Sequence, residues 1–118
     1  MSEPVNPVSV ENAMRETVDR ITKGVRIVSD AMGKAQASRR VYDQAYARAY
    51  LTAEGPAHEK RYQAELATIT ERQTAEVDEQ SYDHSRRLAR ALEKELDALR
   101  SIGVSVRTSY SNAGIGGT

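Results

Sequence analysis

The stretch Tyr50-Leu51-Thr52-Ala53-Glu54-Gly55-Pro56-Ala57-His58 decides the fold, because it holds the one strong helix-breaking signal in the middle of the chain. Glycine takes the left-handed conformation that ends a helix. Proline opens the next one, since its φ is already helical and its missing N–H would go unpaired there.

Upstream of this turn the apolar positions step by four and three. They run Met14, Val18, Ile21, Val25, Val28, Met32 and Ala35, then Tyr42, Tyr46 and Ala49, with Arg39 interrupting the stripe. A heptad pattern held for about five repeats predicts a coiled-coil-like helix and not a strand. Helix 1 is expected over about residues 9–52, after an extended lead-in at 1–8 that contains Pro4 and Pro7. Asn6-Pro7 or Ser9 can start it, because Asn and Ser cap free N–H groups. Gly24 and Gly33 lie inside this helix. Each costs roughly 1 kcal/mol against Ala, as a tolerated weak spot or as the place of a close helix crossing.

Downstream, the turn at 53–56 leads into helix 2, expected over about 56–101 or on to 111. Leu66, Val77, Leu88, Leu99 and Tyr110 recur every eleven residues. That is about 3.67 residues per turn, close to a straight helix. Residues 101–118 lose most of their charge, and 112–118 are expected to form a flexible tail.

A fold-back centred near residues 54–55 opposes Tyr42 to Leu66, Met32 to Val77, Ile21 to Leu88, Val18 to Leu92 and Met14 to Leu96. Apolar then meets apolar at both ends of the arms. In the middle Val25 and Val28 face the polar stretch around Ser81 and His84, a thin waist. The predicted fold is all-α, a long antiparallel helical hairpin spanning 9–111. Two helices cover only one side of each other, so burial hardly offsets the ordering entropy. A homo-oligomer is therefore expected, most simply a dimer completing a helical bundle. Its core stripe is Met14, Val18, Ile21, Val25, Val28, Met32, Leu66, Val77, Leu88, Leu92 and Leu99.

Composition agrees with such a fold. The 118 residues hold 17 basic and 17 acidic side chains, no Phe, no Trp and no Cys. The absence of large aromatics suits a thin core, and the charge balance removes any global field that would attract nucleic acid or membrane. Without Cys there are no disulfides, thiolate nucleophiles or Cys-based zinc sites. No apolar run approaches the ~20 residues of a membrane span, and the N-terminus lacks the pattern of a signal peptide. A cytoplasmic location and no membrane partner are the expectation.

The sequence offers little for catalysis. His58 and His84 are 26 residues apart on one helix, and Ser81 stands three before His84 and Gln80 four before, so the Glu-x-x-His pattern of di-iron bundles is absent. Gly114-Ile115-Gly116-Gly117 lacks the Lys and the following helix of a phosphate loop. No enzyme activity, metal or cofactor is expected. Glu71, Glu76, Asp78, Glu79 and Asp83 read as one acidic, solvated face, or as a docking surface for a basic partner. Arg39, Arg40, Arg48, Lys60 and Arg61 interleave with Tyr42, Tyr46, Tyr50 and Tyr62 near the turn, and Arg86 and Arg87 begin a second basic cluster. Arginine with tyrosine can hold single-stranded nucleic acid, the guanidinium on phosphate and the ring on a base. Arg39, Arg40, Arg48, Tyr50, Arg61, Arg86 and Arg87 are thus candidate contacts for nucleic acid or a protein partner.

The run Ala45-Tyr-Ala-Arg-Ala-Tyr-Leu-Thr-Ala-Glu-Gly55, with Arg61, Ala64-Glu-Leu-Ala-Thr68 and Leu92-Glu-Lys-Glu-Leu-Asp-Ala-Leu-Arg-Ser101, resembles small helical proteins of tailed bacteriophages, particularly those infecting actinobacteria. The likeness covers about residues 35–112. Such proteins are often encoded near recombination and single-strand-binding genes. The resemblance implies a phage accessory role in the host cytoplasm and assigns no activity to any residue. Three functions follow as expectations. The first is a non-catalytic oligomeric accessory protein contacting host or phage proteins. The second is a nucleic-acid-binding accessory of replication or recombination. The third is a structural component of the virion.

Overall fold

The structure is a computed structural model and describes residues 6–116. Three helices account for nearly all of them: α1 (Pro7–Thr52), α2 (Ala57–Ala67) and α3 (Ile69–Gly116). Among the described residues there is no strand. Most of the expected lead-in and the last two residues of the expected tail lie outside the described residues.

α1 starts where its sequence allows. Asn6 Oδ1 accepts the Ser9 backbone N–H at 2.9 Å, and Pro7 is the first helical residue. The helix ends at Thr52, whose hydroxyl donates back to the Arg48 carbonyl at 3.0 Å. Gly55 has φ 105°, the one positive φ among the described residues, and Pro56 stands at the N-cap of α2. The Gln63 side-chain amide donates to the Glu54 carbonyl at 2.8 Å and so ties the loop to α2. Residues 53–56, between α1 and α2, are not helical.

The returning helical arm is not continuous. Thr68 breaks it at φ −121°, ψ 24°. Its buried hydroxyl donates to the Ala64 carbonyl at 2.7 Å, and its N–H turns to Glu65 O at 3.3 Å. Thr68-Ile69-Thr70 is a run of β-branched residues, which restrict χ1 and fit poorly against the preceding turn of a helix. Past this break α3 runs unbroken through Gly103 to Gly116, so the helix extends beyond both ends foreseen for it, and residues 112–116 are helical, not a tail.

The chain divides into two compact units. The first joins residues 6–26 to residues 87–116, and the second holds residues 27–86. In the first, α1 turns Val10, Met14, Thr17 and Ile21 inward, and α3 turns Leu92, Leu96, Leu99, Gly103 and Val106. Gly103 is buried, and a Cβ there would stand 3.4 Å from Val10 and 3.7 Å from Met14. This is the one close crossing at a helical glycine among the described residues. Among the described residues, nothing beyond the helix's own neighbouring backbone lies within 4 Å of a Cβ built at Gly24 or Gly33. In the second unit the inward residues are Val28, Ala31, Ala35, Ser38, Tyr42, Ala45 and Ala49 on α1. They face Ala64 and, around and beyond the break, Thr68, Glu71, Ala75, Asp78, Tyr82 and Ser85.

Two expectations are corrected. The inward positions step by three and four on both arms, but the register is not the one read from the large apolar residues. Met14, Ile21, Val28, Leu92 and Leu99 are half-buried, whereas Val18, Val25, Met32, Leu66, Val77 and Leu88 are exposed. In the second unit the buried positions are instead small or polar, Ala35, Ala64, Thr68, Ala75 and Asp78, which let helices approach where a Val or Leu would hold them apart. The eleven-residue spacing of Leu66, Val77 and Leu88 marks a solvent-facing line, and α3 keeps the same heptad as α1. The pairing across the turn is also displaced by one heptad. Ser38, expected opposite Glu71, meets Asp78, and Met14, expected near Leu96, lies beside Gly103. The centre of pairing therefore lies beyond residues 54–55. The foreseen polar waist at Ser81 and His84 is exposed surface, and the polar layer forms at Ser38 and Asp78.

Candidate functional site

Within the second unit the seam has two flanks, and they differ. On one, α1 presents Met32, Gln36, Arg39 and Arg40, and α3 presents Glu79 and Tyr82, around an open groove of about 440 Å³. Arg39 pairs with Asp43 at 3.4 Å and with Glu79 at 3.6 Å, and its guanidinium lies 5.6 Å from the Tyr42 ring centre. Arg86 pairs with Asp83 at 3.7 Å and sits 5.1 Å over Tyr82. Arg39 and Arg86 are thus neutralised within the chain, whereas Arg40 makes no ion pair among the described residues.

The other flank has a groove of about 260 Å³ lined by Lys34, Ala37, Val41, Thr70, Glu71 and Thr74, with Ser38 at its floor. Its lining is mostly apolar. Lys34 Nζ stands 3.7 Å from Asp78 Oδ1, and its side chain is 75% exposed. Glu71 Oε2 is shut off from solvent and has no hydrogen-bond partner among the described residues. Asp78, only 6% exposed, accepts a hydrogen bond from Ser38 Oγ.

The expected nucleic-acid or partner contacts separate into two sets. Arg39, Arg61 and Arg86 are engaged at home. Arg61 pairs with Glu65 at 4.0 Å, lies 5.0 Å over Tyr62 and donates to the Tyr62 hydroxyl at 3.3 Å. That hydrogen bond, with the carboxylate of Glu65, raises the guanidinium pKa above its ordinary value. Arg40, Arg48 and Arg87 are exposed and make no ion pair among the described residues. Tyr50 is half-buried and stacks on Tyr46 with centroids 6.4 Å apart, while Tyr46 meets Tyr42 edge-on at 6.3 Å. These rings sit four apart on α1 and serve one another first.

The single acidic face read from the sequence is divided three ways. Asp78 is buried in the seam, and Glu71 lies half-buried with its orphaned oxygen. Glu76, Glu79 and Asp83 are held by Arg72, Arg39 and Arg86. The seam positions Thr17, Ser38, Ala64, Thr68, Ala75, Asp78 and Gly103 were not recognised in the sequence. The available signal was their three–four spacing, which small and polar residues carry as regularly as large ones.

Among the described residues no group of three metal-ligating side chains converges, and no helix is long and apolar enough to cross a membrane. Compared with known proteins, the chain matches no family model, no curated protein and no solved structure.

Proposed function

We propose that this chain is a non-catalytic helical accessory protein that self-associates and works through protein–protein contacts, in the manner of the phage proteins its sequence resembles. The observation that carries the reading is an inverted distribution of apolar side chains. In the second unit the buried apolar residues are Ala35, Ala64 and Ala75, while Ile27, Val41, Leu51, Leu66 and Val77 are exposed. An alanine buries little area, and a stable helical pair in water needs more apolar burial than alanines supply. A second copy covering the exposed side chains supplies it. The dimer is the simplest assembly, and a phage or host protein in the host cytoplasm is its further partner. Light scattering after gel filtration at micromolar concentration tests the first step. A dimer or larger species is expected, and a monomer overturns the reading.

A nucleic-acid-binding role is the second reading. The observation favouring it is the pair Arg40 and Arg48, exposed and without an ion-pair partner among the described residues, near the Tyr46–Tyr50 stack. Retention of single-stranded DNA that falls steeply with salt supports it. No retention at about 50 mM salt removes it, because phosphate contacts are strongest at low salt.

A further inference from the structure

We propose that the groove flanked by Lys34 and Glu71 is the dimer face, with Lys34 of each chain pairing with Glu71 of the second copy. This rests on the self-association argued above and gives it a surface and a polar contact.

Glu71 is the first reason. Its Oε2 is closed to solvent and lacks a donor, and a buried carboxylate oxygen without a partner is costly. The same side chain lines the groove. Lys34 is the second reason. Its side chain lines the same groove, mostly in solvent, and Asp78, its one ion-pair partner among the described residues, already accepts from Ser38. The third is the lining between them. Ala37 and Val41 belong to the groove, Val41 is 54% exposed, and Ile27, 58% exposed, lies on the same line of α1 two heptads before it.

A two-fold interface brings the same patch together twice, so a patch with a cation and an anion beside an apolar centre complements itself. That selects a second copy over a foreign partner. On the opposite flank Arg40 is unpaired among the described residues, but the groove's one carboxylate, Glu79, is already held by Arg39 within the chain, so that patch has no open anion to meet a second copy. A cation from a different protein could also reach Glu71, and the experiment separates the two.

The test is a charge exchange between chains. Lys34→Glu alone sets two carboxylates against each other across the interface, the introduced one and that of Glu71 in the copy. Glu71→Lys alone sets two ammonium groups together, the introduced one and that of Lys34. Each variant is expected to dimerise on the order of a hundredfold more weakly than the wild type, because like charges meet in the interface. Mixing the two variants yields a heterodimer with one contact reversed in sign and restored, and it is expected to bind at least about tenfold more tightly than either variant binds itself. A pair made within one chain cannot be rescued by mixing, so absence of rescue overturns the proposal, as does either variant dimerising like the wild type. A wild type that stays monomeric instead removes the self-association itself. If Glu71→Lys loses its helical circular dichroism, a thiol test decides, because the chain has no Cys. Val41→Cys is expected to cross-link between chains with a short bifunctional thiol reagent, and Gln36→Cys on the opposite flank is not. The reverse pattern overturns the proposal.

Discussion

Half-buried Ser38 on α1 donates a hydrogen bond to the carboxylate of buried Asp78 on α3, and this contact joins two helices across forty residues of sequence. Around it the second unit has alanines and, among the described residues, no large apolar side chain that is fully buried. The contact therefore acts as a register pin, since a shift by one heptad would leave Asp78 in the seam without its donor. Removing the hydroxyl by Ser38→Ala is expected to cost about 1–3 kcal/mol, the penalty of a buried charged acceptor left short of a donor. In Ser38→Ala/Asp78→Ala the acceptor is gone as well, so the double variant should lose less than the two single losses combined. Denaturant unfolding of the four proteins checks this. Additive losses would show that the two side chains are not coupled.

Two glycines should respond to alanine with opposite sign. Gly55 has φ 105°, and a Cβ there would stand 2.7 Å from Glu59 Oε2. Gly55→Ala is expected to destabilise by about 1–2 kcal/mol, the cost of a left-handed conformation for an L side chain. Gly33 is helical and exposed, with nothing within 4 Å of its Cβ position. Gly33→Ala should stabilise by roughly 0.5–1 kcal/mol, because alanine loses less backbone entropy in a helix. Thermal unfolding followed by helical circular dichroism reads both. A loss of stability at Gly33 would place a neighbour where the structure has open space.

The alanines of the seam leave little room. Ala64 is fully buried and Ala75 is 2% exposed. Ala75→Leu is expected to cost about 1–3 kcal/mol through overpacking, although leucine has the better burial energy and nearly equal helix propensity. An unchanged or raised midpoint in denaturant would mean that the helices are farther apart at this level than the burial of Ala75 requires.

These positions show how much of the fold was legible in the sequence. Glu54-Gly55-Pro56 set the turn, because few residues can do what glycine and proline do there. Helix type was legible as well, from three–four spacing and the absence of other breakers. The seam was misread because the largest apolar residues were assumed to point inward. Val18, Val25 and Met32 are spaced seven apart, but so are Thr17, Gly24, Ala31 and Ser38, one residue earlier. Size favours the first set in a thick core, and close approach favours the second in a thin one. The break at Thr68 had a local signal in three β-branched residues, which propensity alone ranks as weak. Of the candidate surface, the arginines were found but not their partners. Arg39 reaches Glu79 across forty residues, and that pairing depends on a register that a symmetric fold-back puts one heptad out.

That register makes a last prediction. Leu66, assigned to the stripe by its spacing, is 72% exposed, while Leu92 is half-buried against the first unit's α1 arm. Leu66→Gln is expected to change the unfolding free energy of the chain by no more than about 0.5 kcal/mol, as exposed substitutions usually do. Leu92→Gln should cost about 2 kcal/mol, since it removes buried apolar area and brings an amide into the seam. Self-association adds a concentration dependence, so both variants are compared over a dilution series. A loss at Leu66 that grows with protein concentration belongs to contact between copies. A loss at Leu66 that is as large as that at Leu92 and independent of concentration would return Leu66 to the seam, and with it the pairing of Tyr42 with Leu66 that the symmetric fold-back implies.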